Sequence, residues 1–121
     1  MDDQDARLSP EEIFDEATAD IALGELEAAA EKYRRCVEMQ ADYFDAWHAL
    51  GMALMKIGRY SEAIEAGLRS IELRPNDQLA WSSLSLFYVR NQQIKEAEAA
   101  GAKARILSWG GKIKKDSSSH P

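Results

Sequence analysis

Two histidines and one cysteine are the side chains of this 121-residue chain best suited to acid–base or nucleophilic work near neutral pH. His48 follows Asp45 by three residues, so on a helix the two share a face, as a carboxylate orienting an imidazole would. His120 stands in the terminal KIKKDSSSHP stretch, apart from that pair. No serine or cysteine is set beside either histidine by a recognised nucleophile motif, and no glycine-rich phosphate loop is present. His48 also lacks a histidine or cysteine at the four-residue spacing that would place a second metal ligand on its face. A single cysteine, Cys36, excludes an internal disulfide framework and a cysteine-based zinc site, and it suits a reducing compartment. The carboxylates are many but follow the solvent faces of helices. The chain is therefore expected to be no enzyme and to hold no cofactor or metal.

Composition narrows the partners. The chain is 45% hydrophobic and 30% charged, which is globular rather than disordered, and its length fits one domain with a modest core. A formal net charge of −6 argues against general nucleic-acid binding, which needs clustered Lys and Arg on phosphates. No run approaches the roughly 18–20 apolar residues of a membrane span, and the acidic opening MDDQDARLSPEE is unlike a signal peptide. No nucleic acid, no membrane and a cytoplasmic location are the expectations. Charge is uneven along the chain: Asp2, Asp3, Asp5, Glu11, Glu12, Asp15, Glu16 and Asp20 face only Arg7, whereas Lys103, Arg105, Lys112, Lys114 and Lys115 face only Asp116. Two solvated ends of opposite sign are the simplest account.

The elements that must position these residues are all helical. Residues 1–8 read as a disordered acidic leader. Ser9-Pro10-Glu11-Glu12 then offers a cap, a proline at the first helical position and a glutamate that completes a capping box. Apolar residues at helical spacing predict helices from Pro10 to about Gly24, and over about 26–39, 44–56, 60–73, 78–90 and 94–107. Gly24 and Gly58 mark tight turns, Pro75-Asn76-Asp77 ends one helix and caps the next, and 110–121 reads as a flexible tail. Small residues (Gly51, Ala63, Ser70) stand where the helices of the 45–76 stretch must touch. No alternating run supports a strand.

One period runs through the chain. Trp47 and Trp81, Leu50 and Leu84, and Gly24 and Gly58 are each 34 residues apart. So are the members of the triplets Leu26/Tyr60/Ile94, Ala29/Ala63/Ala97, Cys36/Ser70/Ala104 and Met39/Leu73/Leu107. Paired helices at this period indicate a solenoid, and Cys36 aligns with small residues as a buried one would. The chain resembles a tetratricopeptide repeat array, whose pattern is W-x2-L-G-x2-Y, then A-x3-F, then P. The middle unit matches with Trp47, Leu50, Gly51, Ala63 and Pro75, with Leu54 for the Tyr and Gly67 for the Phe. The third keeps Trp81, Leu84, Tyr88 and Ala97, with Ser85 for the Gly, Gly101 for the Phe and Trp109 for the Pro. The first keeps Ala17, Gly24, Ala29 and Tyr33, with Ile13 for the Trp. The resemblance implies an all-α, right-handed α-α superhelix of three antiparallel helix pairs, about 10–41, 44–75 and 78–109, within a domain spanning 9–109.

Polar substitutions are expected to mark the ends. Glu16 and Asp20 replace Leu50 and Leu54, and Glu98, Ala102 and Arg105 replace Ile64, Leu68 and Ile71, so three repeats read as the whole array. Trp109 and Ile113 are placed to fold back over the last pair. The middle unit, with a neighbour on both sides, should be the most buried.

Such arrays bind other proteins in a concave groove lined by the first helix of each pair. Carried over by register, the groove comprises Glu11, Phe14, Asp15, Thr18, Ile21 and Ala22 of the first unit. The second unit gives Asp45, His48, Ala49, Met52, Met55 and Lys56, and the third gives Leu79, Ser82, Ser83, Leu86, Val89 and Arg90. Met52 and Met55 are surplus to the Trp47–Leu50–Leu54 stripe, as are Leu86 and Val89 to Trp81–Leu84–Tyr88. Surplus apolar residues point to an apolar or amphipathic peptide or helix as partner, with acidic groups near Lys56 and Arg90. Some family members clamp a chaperone's terminal carboxylate with groove Lys, Asn and Arg; the matching Phe14, Thr18, Ala49, Leu79 and Ser83 carry none of that charge, so such binding is not expected. The competing expectation is a homo-oligomer, stacked head to tail or joined through the groove.

Overall fold

The computed structural model describes residues 8–113; residues 1–7 and 114–121, which take in most of the expected leader and tail, lie outside it. Six helices follow in order: α1 (Pro10–Ala22), α2 (Leu26–Met39), α3 (Phe44–Lys56), α4 (Tyr60–Leu73), α5 (Gln78–Arg90) and α6 (Ile94–Ser108). No strand occurs among the described residues. Each helix packs on its neighbours in sequence, and α3 also meets α5 directly. The result is an all-α solenoid, with α1, α3 and α5 opening the pairs and α2, α4 and α6 closing them.

The helix ends show why the sequence breaks where it does. At α1 the Glu12 N–H donates to Ser9 Oγ at 3.1 Å while the Ser9 N–H donates to Glu12 Oε1 at 2.8 Å, which completes the capping box. At α5 the Ala80 N–H donates to Asp77 Oδ1 at 2.9 Å. The other four starts have no side-chain cap, so tertiary packing holds them. Each opening helix ends with one backbone bond repeated at the period: Glu25 N–H to Asp20 O, Arg59 N–H to Leu54 O and Gln93 N–H to Tyr88 O. That closure needs a left-handed residue, supplied by Gly24 (φ 80), Gly58 (φ 85) and, without the glycine's freedom, Gln92 (φ 64). The tryptophans repeat as well: the indole N–H donates to Ala41 O from Trp47 and to Pro75 O from Trp81, both at 2.7 Å.

The core runs the length of the stack, from Ile13 through Leu50 and Leu54 to Leu84 and Phe87. The middle pair is deeply buried, with six residues of α3 and five of α4 closed to solvent. Gly51, Ala63 and Ser70 are buried, Gly51 close enough to α4 that a Cβ there would stand 3.4 Å from Ala63 O. Phe87 is the largest fully buried side chain, and its ring lies on two glycines from the preceding pair. A Cβ on Gly51 would stand 2.8 Å from Phe87 Cε2; one on Gly67 would stand 3.0 Å from Leu84 Cδ1 and 3.2 Å from Phe87 Cδ2. The aromatic volume that the repeat pattern assigns to position 67 is thus supplied from α5. Cys36 is fully buried, its thiol donating to Pro10 O at 3.4 Å, and burial pushes it up to about 11.

At the first end, Lys32 on α2 reaches Asp20 at 2.9 Å and Glu16 at 3.7 Å on α1. Its hydrogen bond to Asp20 holds the ammonium above its ordinary value. Arg34 on α2 pairs with Glu62 on α4 at 2.8 Å. At the far end Glu98 and Arg105 are exposed. Two expectations need correction. Leu8, assigned to the leader, packs against the core. Trp109 does not fold back but stays 78% exposed past the end of α6. Ile113 does return, half-buried, with its N–H donating to Asn76 Oδ1 at 2.8 Å in the α4–α5 loop.

Candidate partner-binding groove

His48 sits at the middle of the layer formed by the opening helices. Its Nε2 lies 3.0 Å from Ser83 Oγ on α5. Its ring stacks on Phe44 with centroids 6.1 Å apart, and the Arg74 guanidinium lies 4.1 Å above the other ring. Burial holds the imidazole below its ordinary value, partly opposed by the Asp77 and Asp45 charges, so the ring is neutral near pH 7. A histidine–serine pair was not legible in the sequence because its members lie 35 residues apart. Ser83 is buried and Asp45 points to solvent, so the pair ties α3 to α5 rather than presenting a nucleophile.

Towards the first repeat the wall is aromatic. Phe14 is half-buried, with its ring centroid 5.3 Å from Tyr33 and 5.4 Å from Tyr43. The Thr18 hydroxyl donates to Phe14 O at 3.0 Å and accepts from the Tyr33 hydroxyl at 2.9 Å. Tyr43, absent from the expected set, therefore shares this wall; it closes one residue before α3, where helix register does not reach.

Of the expected residues, Phe14, Ile21, His48, Ala49, Met52 and Leu86 are half-buried. Thr18, Lys56, Leu79, Ser82, Val89 and Arg90 are exposed, Leu79 at 61% and Val89 at 46%. Two are corrected. Met55 is 7% exposed and belongs to the core, and Ser83 is equally closed. Here α3 and α5 meet directly, with Gly51 against the Phe87 ring. The expected apolar residues on α3 and α5 that stay partly or largely exposed are Met52, Leu79, Leu86 and Val89.

Residues 14–78, more than half of the chain, match the family model described as tetratricopeptide repeat. The chain belongs to the tetratricopeptide repeat family. Proteins of this family are generally non-catalytic protein-interaction modules. Anaphase-promoting complex subunit 3 of Schizosaccharomyces pombe is 27% identical over 73 residues, 60% of this chain and 11% of that protein. The small glutamine-rich tetratricopeptide repeat-containing protein 2 of Mycosarcoma maydis is 24% identical over 102 residues, 84% of this chain and 28% of that protein. This tetratricopeptide chain thus spans a small part of the curated relatives it matches. Among solved structures, MamA superposes with a TM-score of 0.80 at 26% identity, covering 84% of this chain and 60% of MamA. The second tetratricopeptide domain of Spaghetti (RPAP3), bound to an HSP90 peptide, superposes with a TM-score of 0.77 over 88% of this chain and 99% of that one; at 20% identity that likeness concerns the fold. Among the described residues no helix is long and apolar enough to cross a membrane.

Proposed function

We propose that this domain is a protein-interaction module that holds an apolar or amphipathic segment of another protein along α1, α3 and α5. The observation that carries the reading is the set Met52, Leu79, Leu86 and Val89, apolar and solvent-reachable on opening helices whose own packing is already met by Leu50, Leu54, Leu84 and Phe87. A domain of the same fold holding a peptide supports it. Methionine and leucine at the centre fit apolar anchors, and Lys56 and Arg90, both exposed at the helix ends, favour acidic flanks. The partner is not a chaperone tail held by a carboxylate clamp, since Phe14, Thr18, Ala49, Leu79 and Ser83 supply no cation at the clamp positions. The domain works as a cytoplasmic adaptor without catalysis of its own.

The test is capture of partners from lysate by the full chain, identified by mass spectrometry, against the Met52→Glu, Leu86→Glu double variant. Loss of the captured proteins with unchanged helicity is expected; the same proteins captured by both forms would discard the groove. A homo-oligomer is the second reading, favoured by the exposed Trp109 and Ile106 at one end. Light scattering across concentration and salt that shows a monomer throughout would remove it.

A further inference from the structure

The joint between α4 and α5 shows how this chain seats an aromatic side chain from a following helix. The Phe87 ring fits a socket whose floor is Gly51 and Gly67, with the Ala63 carbonyl alongside. Advancing those positions by one period gives Ser85, Gly101 and Ala97, and these line an open cleft of about 480 Å³ on the far face of α5 and α6. Ser85 folds its hydroxyl down to donate to Ala97 O at 2.7 Å, so it leaves the space free. A Cβ on Gly101 would meet only Ser85 Oγ at 3.4 Å and Arg105 Nη1 at 3.9 Å, ordinary contacts, where one on Gly67 would press on Leu84 and Phe87. Nothing among the described residues takes the place that Phe87 takes one repeat earlier. Val89 and Ile94, about half exposed, form its apolar rim.

Two charges define what fits. Glu98 and Arg105 stand where the inner joint has Ile64 and Ile71, about one turn to either side of Gly101. A helix running antiparallel to α6, as α5 runs to α4, lays its N-terminal half beside Arg105 and its C-terminal half beside Glu98. We propose that this face is a second docking site, for an amphipathic helix of a partner protein that seats a phenylalanine-sized aromatic against Gly101, with a carboxylate on the N-terminal side of that aromatic and a cation on the C-terminal side. Trp109, at the end of α6 itself, is 78% exposed and does not fill the socket. Val89 borders both this cleft and the groove, whereas Met52 and Leu86 do not line the cleft.

The probe is a fluorescein-labelled helical peptide of the α5 sequence, residues 78–90, stapled on its outward face and carrying Leu84→Glu; Arg90 already supplies the cation after Phe87. Anisotropy against the full chain should show saturable binding. Phe87→Ala in the peptide should weaken it at least tenfold, and so should Gly101→Phe or Ser85→Leu in the protein, either of which fills the socket from within. Arg105→Glu should weaken it, and a peptide with Leu84→Lys in place of Leu84→Glu should recover that loss. The Met52→Glu, Leu86→Glu protein should bind as the wild type does, which separates this site from the groove. No saturable binding, or binding indifferent to both socket-filling variants, overturns the proposal. So does a dimer in sedimentation velocity that Trp109→Ala abolishes, because a second copy would then own the face.

Discussion

Moving one aromatic ring between helices tests the packing at the α4–α5 joint. Phe87→Ala removes a ring that is 1% exposed and rests on two glycines, which have no side chains to collapse into the void. The loss should lie near the middle of the phenylalanine-to-alanine range, about 4 kcal/mol. For a domain of this size that lowers Tm by roughly 15–30 °C. Gly67→Phe alone overfills the same space, since even its Cβ would stand 3.0 Å from Leu84 Cδ1 and 3.2 Å from Phe87 Cδ2, and a loss of ~2–3 kcal/mol follows. Independent effects would add to about 6–7 kcal/mol, enough to unfold many domains of ordinary stability. The double variant instead returns the aromatic to the position where the family pattern carries it, and should fall within about 2 kcal/mol of the wild type because volume is conserved. Urea unfolding of all four proteins, followed by helical circular dichroism, gives the coupling energy. A double variant that loses the plain sum of the two single losses would refute the account of Phe87 as the plug for Gly67.

Three further outcomes follow from the described geometry. His48 has a folded-state value depressed by burial below the unfolded 6.5, so the unfolded chain protonates first as pH falls; stability should decline below about pH 6.5 and level off once the folded ring also titrates. His48→Gln, which keeps a hydrogen-bonding group near Ser83, should flatten that decline in urea titrations between pH 7.5 and 5.5, and an unchanged slope would assign it to other groups. Gln92→Gly places glycine at a left-handed φ of 64 and should raise stability by about 0.5–1 kcal/mol; a lower denaturation midpoint would contradict the strain. Cys36, fully buried with its thiol pushed up to about 11, should react with Ellman's reagent at pH 8 only at the rate of unfolding. Immediate labelling in native buffer would show that α1 does not cover it.

Helix positions were legible where boundaries are written locally. Ser9 with Glu12, Asp77, and the glycines at 24 and 58 mark ends through bonds that reach only three to five residues. The period carried the architecture for the same reason, since repetition turns local signals into a stack. Side-chain exposure was less legible, because it depends on how closely α3 and α5 approach. The pattern places Met55 on a partner surface, yet it is core, and places Ser83 there, yet it is bonded to His48. Phe87 falls at a position the repeat pattern leaves open. Its signal was present as a deficit: Gly51 and Gly67 leave a volume unfilled, and an aromatic 20 residues after Gly67 supplies it. A reading that balances volume across neighbouring repeats finds it, whereas matching each repeat to its pattern does not.

Phe87 also bears on how this array can change over generations. A repeat that carries its own aromatic at the end of A-x3-F is a cassette, able to be duplicated, lost or exchanged with little penalty to the units beside it. Here the middle unit has handed that residue to its successor, so neither has a complete interior without the other. In a nearest-neighbour description, stability moves from the unit's own term into the coupling between units. The second and third pairs should therefore melt together and be inherited together. Recombination that cut the chain at Pro75–Asp77 would leave one product with an empty socket and the other with an unseated ring.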